Sequence, residues 1–216
     1  MKKDTRLILA LDVTSRERAL SLVRSLGSHF DAIKVGYPLI LSTGLEIVRE
    51  ISAFAPVIAD LKIADIPNTN RMICEAALKA GARGLIAHAF PGRDSLKACV
   101  ICAADYDADV FAVTEMSHLG AKEFMVPVAE KLARLAVDAG ADGVVAPATR
   151  PERIRLIRSI VGSKTIISPG VGVQGGSARN TLEAGADYLI IGRSVTSSED
   201  PIAALKLITS DVSNKK

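Results

Sequence analysis

Eight short apolar runs recur along the 216-residue chain, separated by amphipathic stretches. They read LILAL (7–11), AIKVG (32–36), PVIAD (56–60), GLIAH (84–88), DVFAV (109–113), GVVAP (143–147), TIISP (165–169) and YLIIG (188–192). Runs this short and rich in Val and Ile suit strands buried on both faces of a parallel sheet. Helical spacing fills the gaps, for example over 47–50, 70–80, 128–139 and 153–161. Gly or Asp stands before many runs (AGARGLIA, AGADGVVA, AGADYLII), as where a helix ends and the chain turns back. The AGAD at 139–142 and again at 184–187 echoes one βα unit. Strand–helix units repeated in this way predict a (β/α)8 TIM barrel, a single domain over 1–216 with a frayed tail from about residue 211. The rival is a doubly wound open sheet, which usually has fewer strands. No linker or low-complexity stretch divides the chain.

Composition agrees with this reading. Hydrophobic residues make up 49% of the chain but aromatics only 4%, so Ala, Val, Ile and Leu form the core. The net charge is +3 without a long basic run, which gives no indication of nucleic-acid binding and leaves room for one local anion site. An odd cysteine count (Cys74, Cys99, Cys102) predicts buried thiols in a reducing compartment, and the CxxC of Cys99 and Cys102 lacks a second pair that would make a metal site. Asp12 interrupts the apolar N-terminal stretch, no cleavage site follows, and no run is long enough to span a bilayer. A cytoplasmic location is expected.

In a barrel of this kind the active site lies at the C-terminal ends of the strands. Polar residues gather there: Asp12 after strand 1, Lys34 on strand 2, Asp60 and Lys62 at strand 3, Ser117 after strand 5 and Arg193 after strand 8. Asp60 and Lys62 are two apart and face the same way, so both point into the barrel if that face is the interior. Lys34 on the neighbouring strand is within reach of Asp60, giving a row of alternating charge. A plain structural ion pair closing the barrel top is the alternative, although buried pairs add little stability. Beyond strand 7, SPGVGVQGG (168–176) spells GxGxxG with Gly170, Gly172 and Gly175. It is not in a first βαβ unit and no acid ends the next strand, so a dinucleotide fingerprint is excluded. Loops after strands 7 and 8 are the recurrent phosphate site of TIM barrels, with glycine N–H groups and Arg193 as the anion's partners.

Taken together, ALD at strand 1, KVGYP at strand 2, DLKIADIPNTN at strand 3, TEMSH after strand 5, SPGVGVQGG and IGRS resemble the short, microbial orotidine 5'-phosphate decarboxylases. The likeness runs from about Leu7 to Arg193; the DxKxxD core is shared with the 3-keto-L-gulonate 6-phosphate decarboxylases. The resemblance implies decarboxylation of orotidine 5'-phosphate to UMP and CO2 with no metal and no cofactor. It implies Lys62 as proton donor to C6, Asp60 beside the substrate carboxylate, and Lys34 holding Asp60 and touching the ribose. It further implies a homodimer in which Asp65 and Thr69 reach the neighbouring subunit's site. Asp12 is expected at the ribose, Ile66 beside the ring, Ser117 at the pyrimidine edge and Gln174 between base and phosphate. Gly192 and Arg193 are expected at the phosphate, and Pro169 at the start of a closing loop. His88 and His118 flank these ends and are expected to be hydrogen-bonded loop residues without an acid–base role. Three rivals remain: a Mg2+-dependent keto-sugar phosphate decarboxylase, a Schiff-base aldolase using Lys62, and a nucleotide-binding protein without turnover.

Overall fold

The apolar runs become eight parallel strands, closed in chain order into a barrel in which β8 pairs with β1. The strands are β1 (Leu7–Ala10), β2 (Ala32–Gly36), β3 (Val57–Ile63), β4 (Gly84–His88), β5 (Asp109–Val113), β6 (Gly143–Val145), β7 (Thr165–Pro169) and β8 (Tyr188–Ile191). A computed structural model describes residues 4–213, with side chains to Ser210. Closure removes the open sheet from consideration. The last helix, Pro201–Ser213, runs into the stretch expected to fray from about residue 211, so that residues 211–213 are helical; the rest of that tail, 214–216, lies outside the described residues.

Period-two alternation sorts the side chains into two cores. Ile8, Ile58, Ile86, Phe111, Ile167 and Ile190 fill the barrel interior. Their strand neighbours, such as Leu7, Leu9, Val57, Ala59, Leu85 and Ile166, pack outward against the helices. The repeated AGAD has a physical cause at the opposite end of the barrel from the site. Asp142 Oδ2 accepts a hydrogen bond from Val110 N at 2.8 Å, and Asp187 Oδ2 accepts one from Ile166 N at 2.9 Å. Each aspartate thus accepts from the amide of the second residue of the preceding strand, a backbone donor that needs a partner when buried. Cys74, Cys99 and Cys102 are free and buried on the helices Pro67–Lys79 and Arg93–Ala104, as expected. Among the described residues no helix is long and apolar enough to cross a membrane.

One strand departs from the sequence expectation. The apolar run PVIAD carries on as strand through Lys62, as the shared face of Asp60 and Lys62 requires, and ends at Ile63; the departure lies in its pairing. Ala59 pairs with Leu85 and Ile63 with Ala87, so β3 advances four residues while β4 advances two. The surplus is a bulge spanning Asp60 to Lys62, and Lys62 takes a left-handed backbone with φ 44°. A non-glycine residue there is strained by about 1–2 kcal/mol. Asp60 and Lys62 still face inward, because Leu61 and Ile63 pack outward with the helices.

Candidate active site

Four side chains of alternating charge cross the C-terminal mouth of the barrel. Lys34 Nζ lies 3.2 Å from Asp12 Oδ1 and 2.9 Å from Asp60 Oδ2. The remaining Asp60 oxygen, Oδ1, accepts from Lys62 Nζ. The expected row of Lys34, Asp60 and Lys62 is therefore formed, and Asp12 extends it by a fourth member. Gly36 leaves room for it, since a Cβ there would stand 3.1 Å from Asp12 Oδ1 and 3.5 Å from Lys34 Nζ.

Lys34 and Asp60 are almost wholly buried, whereas Lys62 keeps 28% of its side-chain surface exposed. Burial works against the Asp60 carboxylate, but the ammonium groups of Lys34 and Lys62 outweigh it and hold its pKa below the usual value. Burial likewise works against the Lys34 charge, and Asp60 with Asp12 overcomes it, raising the lysine. The two form a mutually stabilised charged pair, with partly exposed Lys62 at one end of the row. His88, inward-facing at the end of β4, is instead pushed down to about 4 by burial and then by the Lys62 cation. Its Nδ1 is buried without a hydrogen-bond partner, contrary to the expectation of a hydrogen-bonded loop residue, and its ring lies tilted against Phe90 with centroids 4.8 Å apart.

Most of the expected residues share one cavity over an apolar floor of Ile86, Val113 and Val145. Lys34, Asp60 and Lys62 line one side; Ser117, Pro169, Gln174, Gly192 and Arg193 line the other. Asp12 reaches the row through Lys34 and does not line the cavity itself. The glycine-rich loop after β7 behaves differently from the expectation that its N–H groups face an anion. Gly172 N bonds Gly176 O at 3.0 Å, Gly175 N bonds Gly172 O at 2.7 Å, and Gly176 N bonds Gly170 O at 3.0 Å. Those amides fold the loop on itself. Gly170, Gly172 and Gly175 all have positive φ, which explains the spacing by turn geometry. Gln174 and Arg193 remain as side chains directed to the cavity.

Asp65 and Thr69 do not line this cavity, and neither does Ile66, which was expected beside the ring. Asp65 is exposed in a turn beyond β3 that is held from below: its N–H donates to Asn70 Oδ1 at 2.9 Å and its carbonyl accepts from Ser95 Oγ at 2.8 Å. Asn70 is fully buried and also donates to Ser95 Oγ at 2.8 Å. The Asp65 side chain is exposed, and its Oδ1 accepts from the following amide, Ile66 N, at 2.7 Å. Sequence reading passed over Asn70 and Ser95. It also missed Glu115, whose side chain has no exposure and binds both Arg150 and Arg153. An acid two residues beyond a buried strand, in TEMSH, was the available signal.

A closed parallel barrel whose charged cavity opens at the strand C-termini defines a TIM-barrel enzyme. Comparison narrows the class: the model of the orotidine 5'-phosphate decarboxylase / HUMPS family matches residues 5–208, and the chain belongs to that family. An orotidine 5'-phosphate decarboxylase of Methanosarcina acetivorans is 57% identical over 98% of this chain and 96% of its own. One of Thermococcus kodakarensis is 47% identical over 97% and 98%. A crystal structure of orotidine 5'-monophosphate decarboxylase from Methanocaldococcus jannaschii, complexed with the inhibitor BMP, superposes with a TM-score of 0.91 at 46% identity. The match covers 97% of this chain and 98% of that one.

Proposed function

We propose that this protein decarboxylates orotidine 5'-phosphate to UMP and CO2, the last step of de novo UMP synthesis, in the cytoplasm and without metal or organic cofactor. The observation that carries the reading is the Asp12–Lys34–Asp60–Lys62 row at the mouth of a barrel of this family. Loss of CO2 breaks the bond between C6 and the carboxylate and leaves its electron pair on C6. A vinyl carbanion there has no carbonyl to delocalise into, so stabilisation must come from fixed charge. The Lys62 ammonium supplies that charge and then its proton to C6, giving UMP, and water returns the proton to the lysine. Asp60 stands beside the departing carboxylate, where repulsion is relieved as neutral CO2 leaves. Both Asp60 oxygens are engaged by lysines, which supports a charge-relay-free role for it as a fixed anion.

Around that centre, Lys34 and Asp12 meet the ribose, Ser117 the pyrimidine edge, and Gln174 spans base and phosphate. Gly192 and Arg193 hold the phosphate, while Pro169 starts the loop that closes over it and excludes water. Asp65 and Thr69 serve the partner's site in a homodimer; Ile66, expected beside the ring but 65% exposed and outside this chain's cavity, goes with them. The exposed Asp65 turn, held by hydrogen bonds and apart from this chain's cavity, supports this, as does a set of exposed apolar side chains. Tyr37, Ile66, Met72 and Phe90 are 46%, 65%, 56% and 59% exposed and follow the neighbouring strands β2, β3 and β4. Such a set fits a face that a second copy covers.

The test is an ultraviolet assay of orotidine 5'-phosphate loss in the presence of EDTA. Turnover is expected, with near-complete loss in Lys62→Ala at unchanged fold. Full turnover by Lys62→Ala removes the proton-donor role; sensitivity to EDTA favours the Mg2+-dependent sister chemistry; a borohydride-trapped adduct favours the Schiff base.

A further inference from the structure

Glu115 sits two residues beyond β5, lines the cavity and has no side-chain exposure. Its oxygens are divided between two guanidinium groups: Arg150 Nε lies 2.6 Å from Oε1 and Arg153 Nε 2.9 Å from Oε2. Both arginines belong to the next βα unit, before and within the helix Pro151–Val161. Arg150 does not stop at the carboxylate. Its Nη2 donates to Met116 O and its Nη1 lies 3.5 Å from Ser117 O, while Thr149 Oγ1 is 3.4 Å from the same Ser117 carbonyl. Arg153 Nη2 in turn donates to Val126 O at 3.2 Å, tying down the far end of the same loop.

A guanidinium is a planar fork, so fixing its Nε fixes the direction of both terminal nitrogens. With Glu115 gripping one edge of Arg150, the other nitrogens are aimed at two consecutive carbonyls, and the Met116–Ser117 peptide is held in one orientation. We infer that Glu115 is a positioning residue for base recognition: through Arg150 it sets the Ser117 backbone, and with it the Ser117 hydroxyl, against the pyrimidine. The inference rests on the proposed reading, in which the base of orotidine 5'-phosphate lies at Ser117. Packing alone would account for a buried ion pair, but not for the aim of Arg150 at the two consecutive carbonyls of Met116 and Ser117, beside the hydroxyl that lines the cavity.

A double-mutant cycle on orotidine 5'-phosphate separates positioning from general support. Glu115→Gln is expected to lower kcat/KM about 10- to 100-fold, the scale of a misplaced binding group. If it acts through Ser117, the double variant Glu115→Gln/Ser117→Ala stays within about twofold of Ser117→Ala alone. Additive losses, or a Ser117→Ala variant as active as wild type, overturn the inference and leave the functional reading standing. A wild-type protein that leaves orotidine 5'-phosphate untouched overturns the reading itself and this inference with it. Should Glu115→Gln not fold, Arg150→Lys takes its place in the cycle: it keeps the cation and loses the fork, and the same two outcomes decide.

Discussion

Lys34 Nζ meets Asp60 Oδ2 at 2.9 Å although Lys34 is paired in the sheet with Ile58, not with Asp60. The lysine climbs past one inward layer to reach a carboxylate opposite Gly36. Asp60 is in this way clamped between two ammonium groups. Asp60→Asn removes the only charge separating them and leaves Lys34 a buried cation with Asp12 as its remaining partner. Breaking one side of a buried pair costs about 3–5 kcal/mol, so chemical denaturation should show a loss of that size together with a fall in kcat. Unchanged stability would mean that the clamp is not formed in solution.

His88 predicts a specific acid sensitivity. Its folded pKa of about 4 lies below the ordinary 6.5, because burial and Lys62 oppose its charge. Between those values the unfolded chain binds the extra proton and the folded one does not. Stability attributable to this residue is therefore intact above pH 6.5 and lost progressively as pH falls toward 4. Unfolding free energies measured from pH 7 to 4 should decline less steeply for His88→Gln than for wild type. Parallel curves would contradict the burial of a neutral imidazole.

Arg193→Ala should raise KM for orotidine 5'-phosphate about 10- to 100-fold, the worth of one charge-assisted hydrogen bond. Arg193→Lys should restore part of that loss, since it returns the charge without the fork. Steady-state kinetics with orotidine, which lacks the phosphate, supplies the control: the two variants should be indistinguishable from wild type on it.

The exposed turn of Asp65 gives a mixing experiment. Subunits carrying Asp65→Ala and Lys62→Ala are each inactive alone if the site is shared. After exchange, random pairing leaves about a quarter of the sites intact in a twofold dimer, and activity should return to that level. Verified exchange without recovery would place Asp65 outside its neighbour's site.

Legibility divides along physical lines. Each apolar run declared its strand, because burial on both faces admits little besides Val, Ile, Leu and Ala, and a barrel needs as many such runs as this chain has. The positions of Asp60 and Lys62 on one face were likewise legible, since alternation is a property of a single strand. The β3 bulge was not: it is a mismatch of advance between two strands, and neither strand records it alone. Glu115 lies 35 residues from Arg150 and 38 from Arg153, a separation over which no local pattern operates. The glycines after β7 were legible as a loop, but their amides turned inward because the loop's own carbonyls lay closest. Sequence alone therefore determined the barrel, the end at which the charged cavity opens and the residue types held there, all consequences of periodicity and burial. Tertiary structure decided which charges touch, that Asp12 joins the row, and that Asp65 stays out of the cavity, because those depend on register and on side chains meeting across strands.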